Sequence, residues 1–90
     1  MSYRRTGNLV EIVWNFAQES KNIWNAGTLP AGFRPRMDFH AATFMADSNG
    51  VNNDHVSEVE VTIAGFVRFI AGAAISGARS IGNVLFIAAD

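Results

Sequence analysis

The sequence has 90 residues, none of them cysteine, and its formal net charge is −1. A chain of this length forms one domain, and without cysteine it has neither a disulfide nor a thiolate for metal binding or catalysis. The small net charge argues against nucleic-acid binding, which depends on many lysines and arginines, and no run approaches the roughly 20 apolar residues of a membrane-spanning helix.

The balance of apolar and charged residues predicts self-association. Hydrophobic residues make up 49% of the chain and charged residues 17%, whereas charged residues are roughly 25% of an ordinary globular domain. A small domain has more surface for its volume, so it should need more charge rather than less. We therefore expect further copies of the chain to cover apolar surface that one copy leaves exposed.

The first periodic segment, residues 9–16, is predicted to be a strand. Its apolar residues alternate, with Val10, Ile12 and Trp14 on one face, and β-branched and aromatic side chains predominate. Helical spacing also fits this segment, but Gly7 and Asn8 just before it form a turn signal that favours a strand. Because Trp14 alternates with the predicted core residues, we place it in the core.

The middle of the chain is read as a connection, an extended segment, a strand and a loop. Residues 18–27 are mostly polar and are predicted to be the connection. Residues 28–35 contain two prolines and a glycine, which exclude a helix. Residues 36–45 alternate as a strand, and residues 47–54 are nearly all turn formers, which predicts a loop.

The last third of the chain supplies three more predicted strands. Residues 56–63 alternate, with Val59, Val61 and Ile63 inward, and a turn at Ala64 and Gly65 leads to a strand over 66–70. A short strand at 73–75 and a final strand over 83–88 complete the pattern. Short strands separated by glycine and asparagine turns predict an all-β domain, a small antiparallel sandwich or barrel.

The residues available for chemistry do not form a recognisable enzyme motif. Glu58 and Glu60 would lie roughly 7 Å apart on one strand face, which suits a glycosidase pair but equally a solvent-exposed face, the interpretation we favour. Asp38 and His40 give two metal ligands at most, whereas zinc takes three or four, so no metal site is predicted. The glycine-rich segment 72–77 lacks the strand, helix and lysine of a phosphate-binding loop, so no cofactor is predicted.

One segment resembles a known family. Residues 28–35, Thr-Leu-Pro-Ala-Gly-Phe-Arg-Pro, follow an apolar strand opened by a Gly-Asn turn and precede a second strand. This Leu-Pro-x-Gly-aromatic-Arg-Pro arrangement resembles the distal tail and receptor-binding proteins of phages that infect Gram-positive bacteria. The C-terminal head domain of lactococcal phage receptor-binding proteins is the nearest likeness that we identify.

The resemblance implies a fold, an assembly and a role. It implies a β-barrel head that forms a homotrimer at the baseplate tip of the virion's distal tail and binds a cell-wall saccharide of the Gram-positive host, bearing phosphate or glycerol. Members of the family carry further N-terminal regions, so residues 1–90 would be a receptor-binding head within a longer tail protein.

The resemblance also implies a saccharide pocket made of a histidine, a carboxylate, an aromatic ring and an arginine. His55 and Arg79 match the family by order and spacing. Asp54 or Glu58 would supply the carboxylate, and Phe66 or Phe69 would supply the ring. Arg79 could also bind a phosphate with two hydrogen bonds.

Three functions follow from these observations, and the first is the leading hypothesis. It is a non-enzymatic receptor-binding head that adsorbs to host saccharide, with avidity from several sites in one trimer. The second is a structural trimerisation tip or baseplate module without a sugar site. The third is part of a polysaccharide depolymerase, which the poor carboxylate arrangement makes the weakest of the three.

Overall fold

The computed structural model describes residues 1–17, 23–47, 50–71 and 79–89, with side chains described for 1–15, 25–43, 58–70 and 80–89. These residues form seven β-strands: β1 Ser2–Thr6, β2 Leu9–Ala17, β3 Ile23–Thr28, β4 Phe39–Asp47, β5 Gly50–Val61, β6 Phe66–Ala71 and β7 Arg79–Ile87. The described part of the chain contains no helix that could cross a bilayer.

The strands make an antiparallel arrangement in the order β1-β2-β7-β4-β5-β6-β3. Strands β1, β2 and β7 form one sheet, and β4, β5, β6 and β3 form another. Between β4 and β7 the paired residues are Ala46 and Arg79. The prediction of an all-β antiparallel domain is confirmed. Strands β1 and β3 are the two edges, and no ladder between them is present among these seven strands.

The core lies between the two sheets, which face each other as layers. The inward residues of β2 meet those of β5 and β6, and the Trp14 and Phe69 rings make an edge contact with centroids 5.1 Å apart. The Phe39 and Phe86 rings also join the layers, in a tilted contact with centroids 5.3 Å apart. The buried core residues are Val10, Ile12, Trp14, Leu29, Val59, Val61, Val67, Phe69, Phe86 and Ala88.

Trp14 lies in this core, as its alternation predicted. Its indole Nε1–H donates a 2.9 Å hydrogen bond to Ser80 Oγ, so the polar atom of a buried ring is satisfied. Trp14 pairs with Gly82 across β2 and β7, and a Cβ at Gly82 would lie 2.8 Å from the indole Cζ2. A glycine is therefore needed opposite the ring. The helical alternative for residues 9–16 is wrong.

Both tight turns lie where the sequence predicted them, but the β5–β6 turn includes Ile63 as well as the predicted Ala64 and Gly65. Gly7 and Asn8 join β1 to β2, and Gly7 has the positive φ of 60° that a two-residue hairpin turn favours at its first position. The β5–β6 turn closes with a 2.8 Å hydrogen bond from Gly65 N–H to the Thr62 carbonyl. Gly65 has φ 91°, the left-handed position of a three-residue hairpin.

Three segments have a different structure from the one that the sequence predicted. Strand β1 was missed because its residues are mostly polar, and an edge strand needs little apolar surface. Part of the predicted connection 18–27 is β3, which is the other edge and has an irregularity between Asn25 and Gly27. Most of the predicted loop 47–54 belongs to β5, in which Gly50 and Val51 pair with Asp47 and Ala46 of β4 despite their place in a run of turn formers.

The remaining differences are at the ends of strands. Strand β4 begins at Phe39, and Met37 is 71% exposed because it precedes the first pair. Strand β5 ends at Val61, so Ile63 lies in the turn and is 58% exposed rather than inward. The predicted strand at 73–75 lies outside the described residues.

Candidate functional site

The segment that carried the family resemblance, residues 28–35, has a structural role at one end of the domain. Leu29 is fully buried, and its amide donates a 2.8 Å hydrogen bond to the Gly65 carbonyl. This bond extends the β3–β6 ladder by one residue beyond Thr28 and Phe66. The segment then turns at Pro30, whose carbonyl accepts a 3.1 Å bond from Phe33 N–H.

Arg34 and Pro35 fasten the segment to both layers. Arg34 Nε–H donates a 2.9 Å hydrogen bond to the Leu29 carbonyl, and the Arg34 carbonyl accepts one of 2.9 Å from Ala89 N–H. Pro35 is buried and bridges to Ala88. The arginine and the second proline of the motif therefore have structural roles in the fold.

The same segment also contacts the edge strand β1. Arg5 Nη1 donates a 2.6 Å hydrogen bond to the Gly32 carbonyl, and the Tyr3 and Phe33 rings meet edge to face with centroids 5.1 Å apart. The side chains of Arg5 and Tyr3, on edge strand β1, thus contact the segment that follows the other edge strand, β3. Among the described strands, β1 and β3 do not pair through their backbones. Residues 28–35 therefore cover one end of the domain and link its two layers.

The predicted pocket residues are distributed along the length of the sheets. Asp54 and His55 lie in β5, and Arg79 is the first residue of β7. Because Ala46 of β4 pairs with both Val51 and Arg79, the backbone brings the start of β5 and the start of β7 to the same end. The side chains of Asp54, His55 and Arg79 lie outside the described residues.

The two aromatic candidates lie elsewhere. Phe66 starts β6, where its carbonyl accepts a hydrogen bond from Thr62 N–H. Thr62 is seven positions after His55, which along a strand is roughly 20 Å. The structure therefore does not bring Phe66 and His55 together. Phe69 is fully buried in the core, so its ring is not available to a ligand.

Glu58 belongs to a different cluster, on the outer face of the β4, β5 and β6 strands. His40 is paired directly opposite Glu60, and Arg68 lies opposite Glu60 on the other side. Glu58 is two residues before Glu60 and so shares its face. We call these four side chains, His40, Glu58, Glu60 and Arg68, the polar ladder.

The members of the polar ladder contact one another directly. Arg68 donates to Glu60 Oε1 through Nε, at 2.6 Å, and through Nη2. His40 Nε2 lies 3.2 Å from Glu60 Oε2, and His40 Nδ1 lies 3.2 Å from Glu58 Oε1. The Glu60 side chain is only 12% exposed between these two neighbours, so it does not project freely into solvent as the alternation had suggested.

These contacts set the charge of the polar ladder. Carboxylates only accept hydrogen bonds, so both His40 contacts are hydrogen bonds only when both ring nitrogens carry a proton. With a neutral imidazole, two carboxylates and one guanidinium leave the ladder with a net charge of −1. With an imidazolium, the ladder is neutral.

The ladder leaves groups open to a ligand. The side chains of His40, Glu58 and Arg68 are between 41% and 48% exposed, and Phe66, two residues before Arg68 on the same face, is 51% exposed. A carboxylate, a guanidinium and an aromatic ring are therefore accessible on one continuous surface.

Sequence reasoning missed His40 and Arg68 as partners of the glutamates. A signal was present, because a three-residue turn after Thr62 fixes the register of the hairpin. That register places residue 60 opposite residue 68 and residue 58 opposite residue 70, as the structure has it. The partnership of His40 with both glutamates depends on the β4–β5 pairing, for which no comparable local signal exists.

Asp38 does not pair with His40. Its Oδ1 accepts a 2.7 Å hydrogen bond from Ile63 N–H and so holds the β5–β6 turn. Across the part of the chain that the structure describes, no group of three histidine or acidic side chains converges as metal ligands would.

No protein-family model matches this sequence, and no curated protein is significantly similar to it. A functional proposal therefore depends on the motif in residues 28–35 and on the geometry of the polar ladder.

Proposed function

We propose that this protein is a non-enzymatic receptor-binding head of a phage tail, which adsorbs to cell-wall saccharide of a Gram-positive host and acts as a homotrimer at the baseplate tip. The observation that carries the saccharide-binding role is the exposed Phe66 ring beside the polar ladder. The family resemblance of residues 28–35 supplies the biological setting.

The exposed groups suit a sugar ring. Sugars are recognised by hydrogen bonds from their hydroxyl groups to charged side chains and by stacking of their apolar face on an aromatic ring. Glu58 accepts hydrogen bonds, Arg68 donates them, and Phe66 offers the ring. Because Glu60 already holds Arg68 in place, less side-chain freedom is lost when a ligand binds.

The charge of the ladder narrows the ligand class. Glu60 compensates Arg68, and Glu58 adds a negative charge that an imidazolium at His40 would only neutralise, so the ladder has no net positive charge to attract an anion. We therefore assign the ladder to a neutral saccharide. A phosphate group on the host polymer would be bound elsewhere, and the predicted Asp54, His55 and Arg79 group at the other end of β5 is the candidate for it.

Titration followed by NMR tests this proposal. The probes are methyl glucoside, N-acetylglucosamine and glycerol 1-phosphate, each added to the intact 90-residue chain. We expect a neutral sugar to shift the resonances of Glu58, Phe66 and Arg68, with the weak affinity usual for single sugars. Arg68→Ala and Phe66→Ala should each weaken binding by about tenfold or more.

Arg36→Ala is the matched control, because Arg36 is an exposed arginine outside the ladder. It should bind the sugar as the wild type does. If the neutral sugars shift no ladder resonance, or if Arg68→Ala binds them unchanged, the ladder is not a saccharide site.

A structural tip or baseplate module without a sugar site is the alternative, and the exposed apolar surface described below favours it. His55→Ala and Arg79→Ala separate the two functions. Loss of adsorption to host polysaccharide, with the assembly intact, supports receptor binding at that end of the domain. If these variants and the ladder variants all adsorb unchanged, the structural role is the better description.

A further inference from the structure

The outer face of the β1-β2-β7 sheet is unusually apolar. Five aliphatic side chains on it are between 39% and 66% exposed: Leu9, Val13, Ile81, Leu85 and Ile87. They lie on two adjacent strands, with Leu9 paired to Ile87 and Glu11 paired to Leu85. We call these five residues, with the Arg4–Glu11 ion pair between them, the β2–β7 face.

The other layer shows what a solvated face looks like in this protein. An antiparallel sheet with one side in water normally alternates apolar inward and polar outward residues. The β4-β5-β6 layer does so, with the polar ladder outward. Strands β2 and β7 are instead largely apolar on both sides, which is the pattern of a sheet covered on both faces.

We propose that the β2–β7 face packs against the same face of a second copy of this chain, a two-fold contact that is additional to the subunit contacts of the proposed homotrimer. The charge distribution favours a copy over a different partner. Among its described side chains the face carries one cation and one anion, Arg4 and Glu11, which form a 3.0 Å ion pair. Two such faces meet without net repulsion, and turning one copy relative to the other brings each Arg4 near the opposing Glu11.

The size of the face is adequate for this role. A nine-residue strand is about 30 Å long, and three strands with their side chains are about 15 Å wide. Two faces in contact would remove on the order of 1,000 Å² of surface, which is the lower limit for a specific interface. Interfaces of this small size are typical of weak, transient association, so we expect an affinity in the micromolar range.

The shape of the β2–β7 face is also compatible with packing against the same face of a second copy. Shallow depressions lie on either side of the Arg4–Glu11 pair, one of about 340 Å³ bordered by Tyr3 and Val13 and one of about 260 Å³ bordered by Leu9 and Leu85. Aliphatic side chains project beside each depression. A second copy thus offers both the protruding side chains and the hollows that receive them.

This inference stands apart from saccharide binding. The polar ladder lies on the outer surface of the other layer, so contact through the β2–β7 face leaves it accessible. A failure of self-association would remove the interface and its avidity, but a single chain could still bind a sugar. A failure of sugar binding would leave the interface unaffected.

Sedimentation of the intact chain tests the interface. We expect the particle mass to rise above the 9.8 kDa of one chain as the concentration increases from about 1 to about 100 μM, the range for a micromolar interface. Leu85→Lys places a charge at the centre of the contact, opposite Glu11, and Ile81→Lys places one near its end, opposite Asn15. Each should raise the dissociation constant at least tenfold while circular dichroism stays that of the wild type.

Ile63→Lys is the matched control. Ile63 is 58% exposed, similar to Leu85 at 53%, but it lies in the β5–β6 turn, and its variant should associate normally. A wild-type mass of 9.8 kDa at every concentration overturns the proposal. So does an assembly that Ile63→Lys disrupts as strongly as Leu85→Lys, or one that Leu85→Lys and Ile81→Lys both leave intact.

Discussion

A Cβ atom at Gly65 would lie 2.5 Å from the carbonyl oxygen of Leu29. The two residues are also joined by the hydrogen bond from Leu29 N–H to the Gly65 carbonyl, at 2.8 Å. The β5–β6 turn and the motif of residues 28–35 are therefore in contact through their backbones, with Arg34 Nε 2.9 Å from the same Cβ position. Only glycine fits between them.

Gly65→Ala should destabilise the protein strongly. The methyl group would clash with backbone rather than with a flexible side chain, and φ of 91° is unfavourable for alanine. We expect a loss of about 3 kcal/mol in the free energy of unfolding, measured by urea denaturation. Gly7→Ala is the control: its φ is also positive, but its Cβ meets nothing within 4 Å, so the loss should be about 1 kcal/mol. Equal losses would contradict the contact.

Arg34→Met should separate the structural role of Arg34 from any binding role. The variant keeps a long apolar stem but loses the hydrogen bond to the Leu29 carbonyl, and an unsatisfied buried carbonyl costs about 1–3 kcal/mol. Arg36→Met, at an exposed position two residues later, should change the stability by less than about 0.5 kcal/mol. The measurement is thermal unfolding of both variants. If Arg34→Met leaves the stability unchanged, the hydrogen bond to the Leu29 carbonyl contributes little.

Trp14 and Ser80 should be energetically coupled. Ser80→Ala leaves the buried indole N–H without its 2.9 Å acceptor, and Trp14→Phe removes the donor. The double variant should lose less stability than the two single variants together, by about 1 kcal/mol. The measurement is a double-mutant cycle by chemical denaturation, and strict additivity would argue against the hydrogen bond.

Glu60→Gln should change the ligand preference of the polar ladder. It removes the charge that compensates Arg68 while nearly preserving the shape of the side chain, so the guanidinium becomes available to an anion. Binding of glycerol 1-phosphate should strengthen several-fold at low salt and weaken again as salt is added. The variant Glu60→Asp, which keeps the charge, is the control. Unchanged phosphate binding in Glu60→Gln would mean that Arg68 is not the controlling charge.

The sequence was informative wherever a strand is half buried. Alternation identified β2 and the inward faces of β4 and β5, and it placed Trp14 in the core. It failed at the edges, because β1 and β3 are held by one neighbour each and carry few of the apolar residues that alternation detects. It also failed at residues 50–54, where asparagine and aspartate favour a loop locally but the chain continues as β5, with Gly50 and Val51 paired to β4.

The candidate site shows the same division. Glu58 and Phe66 were chosen from the sequence, and the structure places both on one outer face. Their relation to His40 and Arg68 depends on the registers of two ladders, and so could only partly be read from the hairpin turn. The motif of residues 28–35 identified a resemblance, but only its contacts with Gly65, Ala88 and Ala89 show that it closes the fold.

The sequence by itself determined that this chain is an all-β domain with too few charges to cover its own surface, because composition and alternation are local properties. The tertiary structure decided which face of the domain carries the exposed apolar side chains and which charged side chains contact one another. Both depend on strand pairing between residues far apart in the chain, and no short segment of sequence records that pairing.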